Sequence, residues 1–123
     1  MNKLDQAAGF TLIELLTSLT IIAILTAIAV PQFSDYRKRA FDTRAESDLR
    51  NVAIAEEAYF LDAERYLSCQ QQTCTALPGI AKLSDGVTLT ITAQANSFTG
   101  TATHPLGSGT TLQWDSENGG LQG

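Results

Sequence analysis

Three places in this sequence of 123 residues hold side chains able to do chemistry. The first is Glu14, the only ionisable side chain in the apolar run Phe10 to Val30, "FTLIELLTSLTIIAILTAIAV". A carboxylate in hydrocarbon costs on the order of 2.5 to 3.5 kcal/mol at mid-span, less near the end where Glu14 lies, so it calls for a positive partner or a route to the interface. The second is the pair Cys69 and Cys74, which brackets "QQQT". A C-x4-C pair lacks the second pair that a structural zinc site needs, so it reads as a small disulfide loop and implies an oxidising compartment. The third place is the C-terminal part, where His104 stands before Pro105 with no Cys or Ser set to make a nucleophile pair. Nearby, "DSENGG", Asp115 to Gly120, has the acids of a calcium loop but no distal bidentate Glu. No catalytic residue, metal site or cofactor is expected, and the chain does not read as an enzyme.

The elements that hold these residues follow from patterning. The length allows one small domain plus whatever the N-terminal third does. A net charge of -5 argues against a nucleic-acid binder, since the chain offers a basic face only at Arg37, Lys38, Arg39 and Arg44. As a helix, Phe10 to Val30 reaches about 31 Å, enough for a bilayer core of about 30 Å. Three readings of it compete. A secretory signal would end at Ala27-Ile28-Ala29, with cleavage before Val30 releasing a soluble binding domain. A plain anchor would leave the cost of Glu14 unexplained. A helix that starts in the membrane and finishes buried among copies of itself would give Glu14 a partner.

After Pro31, apolar residues recur at spacings of three and four: Phe33, Tyr36, Ala40, then Ala45, Leu49, Val52, Ala53, Tyr59, Phe60 and Ala63. That period predicts an amphipathic continuation of the helix, bent near Pro31. Its polar face is expected to carry Arg37, Lys38, Arg39, Asp42, Arg44, Glu46, Asp48, Arg50, Glu56 and Glu57 in water, with pairs such as Glu46 and Arg50. Leu67 to Ile80 reads as loop. "DGVTLTITAQA" and "NSFTGTAT" alternate with a period of two and predict a hairpin turning at Gln94 to Ser97, and "TTLQWD" predicts a third strand with Leu112 and Trp114 inward. The expected fold class is α+β: a long N-terminal helix, half transmembrane and half amphipathic, on a small antiparallel sheet. The aromatics Phe10, Phe33, Tyr36, Phe41, Phe60 and Tyr66 read as packing residues rather than an electron path.

"GFTLIELLTSLTIIAILTAIAVPQF" resembles the N-terminal signature of type IV pilins and related pseudopilins, and the likeness continues through the helix to Tyr66. The resemblance implies a prepilin: cleavage by prepilin peptidase between Gly9 and Phe10, methylation of the new Phe10 amine, and Glu14 as fifth residue of the mature chain, with Pro31 at the helix-kinking position. Phe10, Glu14 and Pro31 would then serve assembly, Glu14 of one subunit pairing with the Phe10 amine of its neighbour. It implies a division into a leader, 1–9, a transmembrane and assembly helix, 10–31, the amphipathic half, 32–66, and a disulfide-containing sheet domain, 67–123. The function implied is that of a structural subunit of an extracellular pilus serving adhesion, twitching motility or a related surface role. Its partners would be copies of itself, the inner membrane before assembly, prepilin peptidase and the pilus machinery. A pseudopilin of a type II secretion system is the alternative within the same architecture. Arg37-Lys38-Arg39 beyond the span favours a cytoplasmic location for that end by the positive-inside rule, whereas the leader motif and the cysteines point outward.

Overall fold

In a computed structural model of the protein, residues 8–123 are described; of the expected leader, residues 1–7 lie outside them. The chain divides into two compact units, one ending at Ser34 and the other spanning Asp35–Gly123. One helix, α1 (Leu12–Ala63), runs from the first into the second, with Pro31 inside it.

In the first unit every described side chain is exposed, including Leu12, Ile13, Leu16, Ile22, Leu25 and Ile28. The threonines of this stretch turn their hydroxyls onto the helix itself: Thr17 donates to the Ile13 carbonyl at 2.7 Å, Thr20 to Leu16 at 2.7 Å and Thr26 to Ile22 at 2.9 Å. Polar groups satisfied within the helix make its surface tolerable in a medium without water. The helix is long and apolar enough to cross a membrane.

The second unit is a helix laid on one antiparallel sheet, with strands in sequence order: β1 (Cys69–Gln70), β2 (Thr88–Ala93), β3 (Phe98–Thr103), β4 (Leu112–Asp115) and β5 (Gly120–Gln122). β2 and β3 pair over their whole length from Thr88 opposite Thr103 to Ala93 opposite Phe98. The turn between them is closed by the Gln94 N–H donating to the Ser97 carbonyl at 2.7 Å. Alternation puts Leu89, Ile91, Phe98 and Ala102 into the core and the threonines outside. On α1, Ala45, Leu49, Val52 and Ala53 complete that core at helical spacing. Gly100 faces the helix, and a Cβ there would come within 2.9 Å of Leu49 and 2.7 Å of Ile91. Its missing side chain is what lets α1 approach the sheet so closely.

Several expectations need correction. The fold class holds, but there are five strands rather than three. β1 and a 3-10 helix (Gln71–Ala76) occupy the segment read as loop, and β5 follows the stretch weighed as a calcium loop. Two- and three-residue strands carry no alternation to detect. Asp48 and Glu56, assigned to the wet face, are buried, whereas Phe33, Tyr36 and Ala40 are exposed. The core-facing positions fall every three to four residues only from Ala45 onward. Leu112 and Trp114 pack against the core but remain half-buried.

Replacement of Gly100 by Val is expected to lower stability by about 1 to 3 kcal/mol, because overpacking at this contact must push back Leu49 or Ile91. Denaturant unfolding of the detergent-solubilised chain, followed by Trp114 fluorescence, measures it; an unchanged midpoint would mean that the helix and sheet have slack.

Candidate functional site

At the start of α1 two residues cap each other. Thr11 accepts the Glu14 N–H on its hydroxyl at 3.2 Å, and Glu14 Oε2 accepts the Thr11 N–H at 2.8 Å. This is the reciprocal capping box, T-x-x-E, which satisfies two of the donors a helix start leaves open, and a carboxylate there also complements the positive end of the helix dipole. Its local signal in the sequence is the spacing Thr-x-x-Glu, Thr11 to Glu14, immediately before an apolar run. Glu14 Oε1 has no hydrogen-bond partner among the described residues. Phe10, Ile13 and Thr17 line a shallow groove with it. Gly9 and Phe10 lie outside the helix in exposed backbone, Phe10 being 93% exposed. Pro31 lies far along α1 from Glu14, so the structure brings Gly9, Phe10 and Glu14 together at one end and leaves Pro31 apart.

In the second unit the Cys69–Cys74 disulfide is formed, with Cα atoms 5.0 Å apart. It ties the 3-10 helix to β1, whose Cys69 is paired with Ile91 of β2. Glu56 Oε2 accepts the Leu67 N–H at 2.9 Å, fixing the chain where it leaves α1, while Oε1 is buried without a partner among the described residues. Burial pushes the Glu56 carboxyl above its ordinary range; the Leu67 N–H opposes this and the neighbouring Glu57 charge adds to it. Asp48 is differently placed, since Ser84 donates to it from both its N–H at 2.8 Å and its hydroxyl at 3.0 Å.

His104, expected as a plain loop residue, is buried and stacked on Phe41 of α1, with ring centroids 4.4 Å apart. Its Nδ1 accepts the Leu106 N–H at 3.0 Å, so the proton sits on Nε2, which faces the Asp85 carbonyl at 3.2 Å. That satisfied tautomer holds two loops to the helix. In the Asp115 to Gly120 stretch the Asp115 carboxylate is taken up by the Glu117 N–H and the Asn118 amide, which keep it below the usual carboxylate range. The stretch is the turn between β4 and β5.

The geometry is that of an α+β chain with a capped, exposed apolar helix start carrying one half-satisfied carboxylate, on a helix whose second part backs an antiparallel sheet. A family model described as the prokaryotic N-terminal methylation motif matches residues 5–30. The chain is 39% identical over 103 residues to the type IV wide pilus major component PilA4 of Thermus thermophilus, an alignment covering 83% of this chain and 77% of that protein. It is 45% identical over 60 residues to a fimbrial protein of Pseudomonas aeruginosa, covering 49% of this chain and 39% of the relative. It is also 41% identical over 66 residues to the type II secretion system core protein G of Pseudomonas aeruginosa, covering 54% and 46%. The chain thus spans less than half the length of these last two. On the extent and identity of the first match, the chain belongs to the type IV pilin family.

Two outcomes follow from these contacts. Because the folded chain holds the Glu56 proton more tightly than the unfolded chain, the Glu56 contribution to stability is fully present below the ordinary glutamate range and is lost as pH rises through it toward the folded value, opposite in sign to the contribution of Asp115. The difference in unfolding midpoint between the chain and Glu56→Gln, measured from acidic to neutral pH, should show that loss. Replacing Cys69 and Cys74 by Ser should cost about 2 kcal/mol by loop-closure entropy for so short a loop, read as a lowered denaturant midpoint.

Proposed function

We propose that the chain is a structural subunit of an extracellular type IV pilus filament. It would be held in the inner membrane as a precursor, cut by prepilin peptidase between Gly9 and Phe10, methylated on the Phe10 amine and assembled with copies of itself by the pilus machinery. The division proposed with it is leader 1–9, assembly helix 10–31, amphipathic half 32–66 and sheet domain 67–123. The observation that carries this reading is the exposed apolar surface of α1 from Leu12 to Val30, which no other described residue of its unit covers. Lipid would cover it before assembly and sister helices afterwards. The processed amine of Phe10 would lie one residue from the Thr11 N–H that Glu14 already holds, and Glu14 Oε1 is open to a second donor. Glu14 would then cap its own helix through one oxygen and pair with a neighbour's Phe10 amine through the other. A misaligned subunit would leave two charges unpaired among apolar helices, so the pair would act chiefly on register. Adhesion, twitching motility or a related surface role is the function this filament would serve.

The likeness to the secretion protein supports a second reading, a pseudopilin of a type II secretion system. The formed Cys69–Cys74 disulfide leans toward the pilin, since pseudopilins of the major kind often carry a calcium site and lack such a bridge. A soluble domain released before Val30 is disfavoured, because Ala27-Ile28-Ala29 lies within unbroken helix.

Mass analysis of the protein in sheared surface fractions is expected to find a chain beginning at methylated Phe10; a chain beginning at Val30 would replace the filament with a secreted domain. Glu14→Ala should accumulate in the membrane at wild-type abundance while surface filaments fall at least about tenfold, the effect expected for stranding a buried amine. Normal piliation in that variant would remove the pairing.

A further inference from the structure

Within the second unit α1 has two apolar faces, and only one is covered. The first, Ala45, Leu49, Val52 and Ala53, lies under the sheet. The second runs along the side away from the sheet through Tyr36, Ala40, Ile54, Ala58 and Leu61, all exposed, Tyr36 by 72%, Ile54 by 67% and Leu61 by 83%, with Ile54 and Ala58 also forming one wall of an open groove against Pro78 and Ile80. Their spacings of four, fourteen, four and three keep one stripe on a helix with a seven-residue repeat. The stripe is flanked by exposed charges that change sign along its length. Near its start stand Arg37, Lys38, Arg39 and Arg44 with one exposed acid, Asp35; near its end stand Glu57, Asp62 and Glu64 with one base, Arg65, just past the helix, so the balance changes from basic to acidic. Between them Glu46 and Arg50 neutralise each other at 2.7 Å. None of the charges at the two ends makes an ion pair among the described residues.

The acidic end is unfavourable for the isolated chain. The last turn of α1 carries no base, so acids sit beside the negative end of the helix dipole. Glu64 adopts a left-handed conformation, φ 53°, where glycine is the usual residue. A cationic partner laid along this end would offset the repulsion.

We propose that this stripe docks against α1 of a second copy of the chain, parallel to it and displaced by about three heptads, or about 31 Å, along the helix. That one displacement meets two independent requirements. It sets Arg37, Arg39 and Arg44 of one copy within a residue or two of the levels of Glu57, Asp62 and Glu64 of the next, and it brings small Ala40 to the level of large Leu61, with Tyr36 one residue from the level of Ala58. An unshifted parallel pair would instead set like charges against like. The contact is heterologous: each copy offers its basic end to one neighbour and its acidic end to another, so it propagates rather than closes. The proposal rests on the filament reading for the parallel sense of the copies and adds to it which residues set their stagger.

The test is charge exchange in full-length chain expressed in a piliated host, read as filament yield after shearing, with membrane abundance and Cys69–Cys74 oxidation confirming that each variant folds. Arg37→Glu with Arg39→Glu should cut filament yield at least about tenfold, and Asp62→Arg with Glu64→Arg should do likewise. All four changes together should restore yield to within about threefold. Separately, the double variant Ala40→Cys, Leu61→Cys should give a ladder of covalent multimers in filaments, while Asn51→Cys alone should give none. Reversal without loss, loss without restoration, or a strong Asn51→Cys dimer, the mark of an antiparallel pair, would overturn the proposed stagger. A wild-type chain that never appears in filaments would instead overturn the filament reading itself.

Discussion

The apolar surface of α1 between Leu12 and Val30 is the constraint on which the rest depends. Among the described residues nothing in its own unit covers it, so the surface calls for an apolar medium or partner. That requirement explains the local chemistry. Thr17, Thr20 and Thr26 keep their hydroxyls on the helix backbone, and Glu14 caps the helix start instead of standing as a bare charge. A helix whose threonines are satisfied in this way carries few polar groups that need water along its sides.

The second unit solves a different problem, that of a small core beside a long helix. Few large residues are available, so closeness substitutes for bulk: Gly100 admits Leu49 and Ile91 into its own space. Polar anchors then secure the connections that such a core cannot hold. Asp48 ties the Ser84 loop, Glu56 ties Leu67, and His104, stacked on Phe41, ties the segment after β3. Each anchor reaches from α1, or onto it, so the helix organises the domain as well as backing it.

Much of this was legible in the residues themselves. The apolar length, the period-two strands β2 and β3, their turn and the disulfide could all be read because each is a local pattern. The capping box was equally local, and was missed because Thr11 and Glu14 were read for cost instead of for their three-residue spacing. What could not be read was set by tertiary packing. Glu56 continues the spacing of Ala45, Leu49 and Val52 and so lies on the core face, where a carboxylate is unexpected until the Leu67 N–H is seen to meet it; Asp48 lies at the edge of that face and is covered with the Ser84 loop that donates to it. β1 and β5 exist because a paired neighbour was already in place, and His104 is satisfied by groups that precede and follow it in loops.

The two outer strands of the sheet are its shortest, two residues in β1 and three in β5, and the disulfide with its 3-10 helix sits over the β1 side. Exposed strand edges are templates for indiscriminate pairing, and crowding would make them dangerous. Blunting both edges disfavours the sheet as a route to amyloid-like growth and leaves α1 carrying the most extended exposed apolar surface among the described residues.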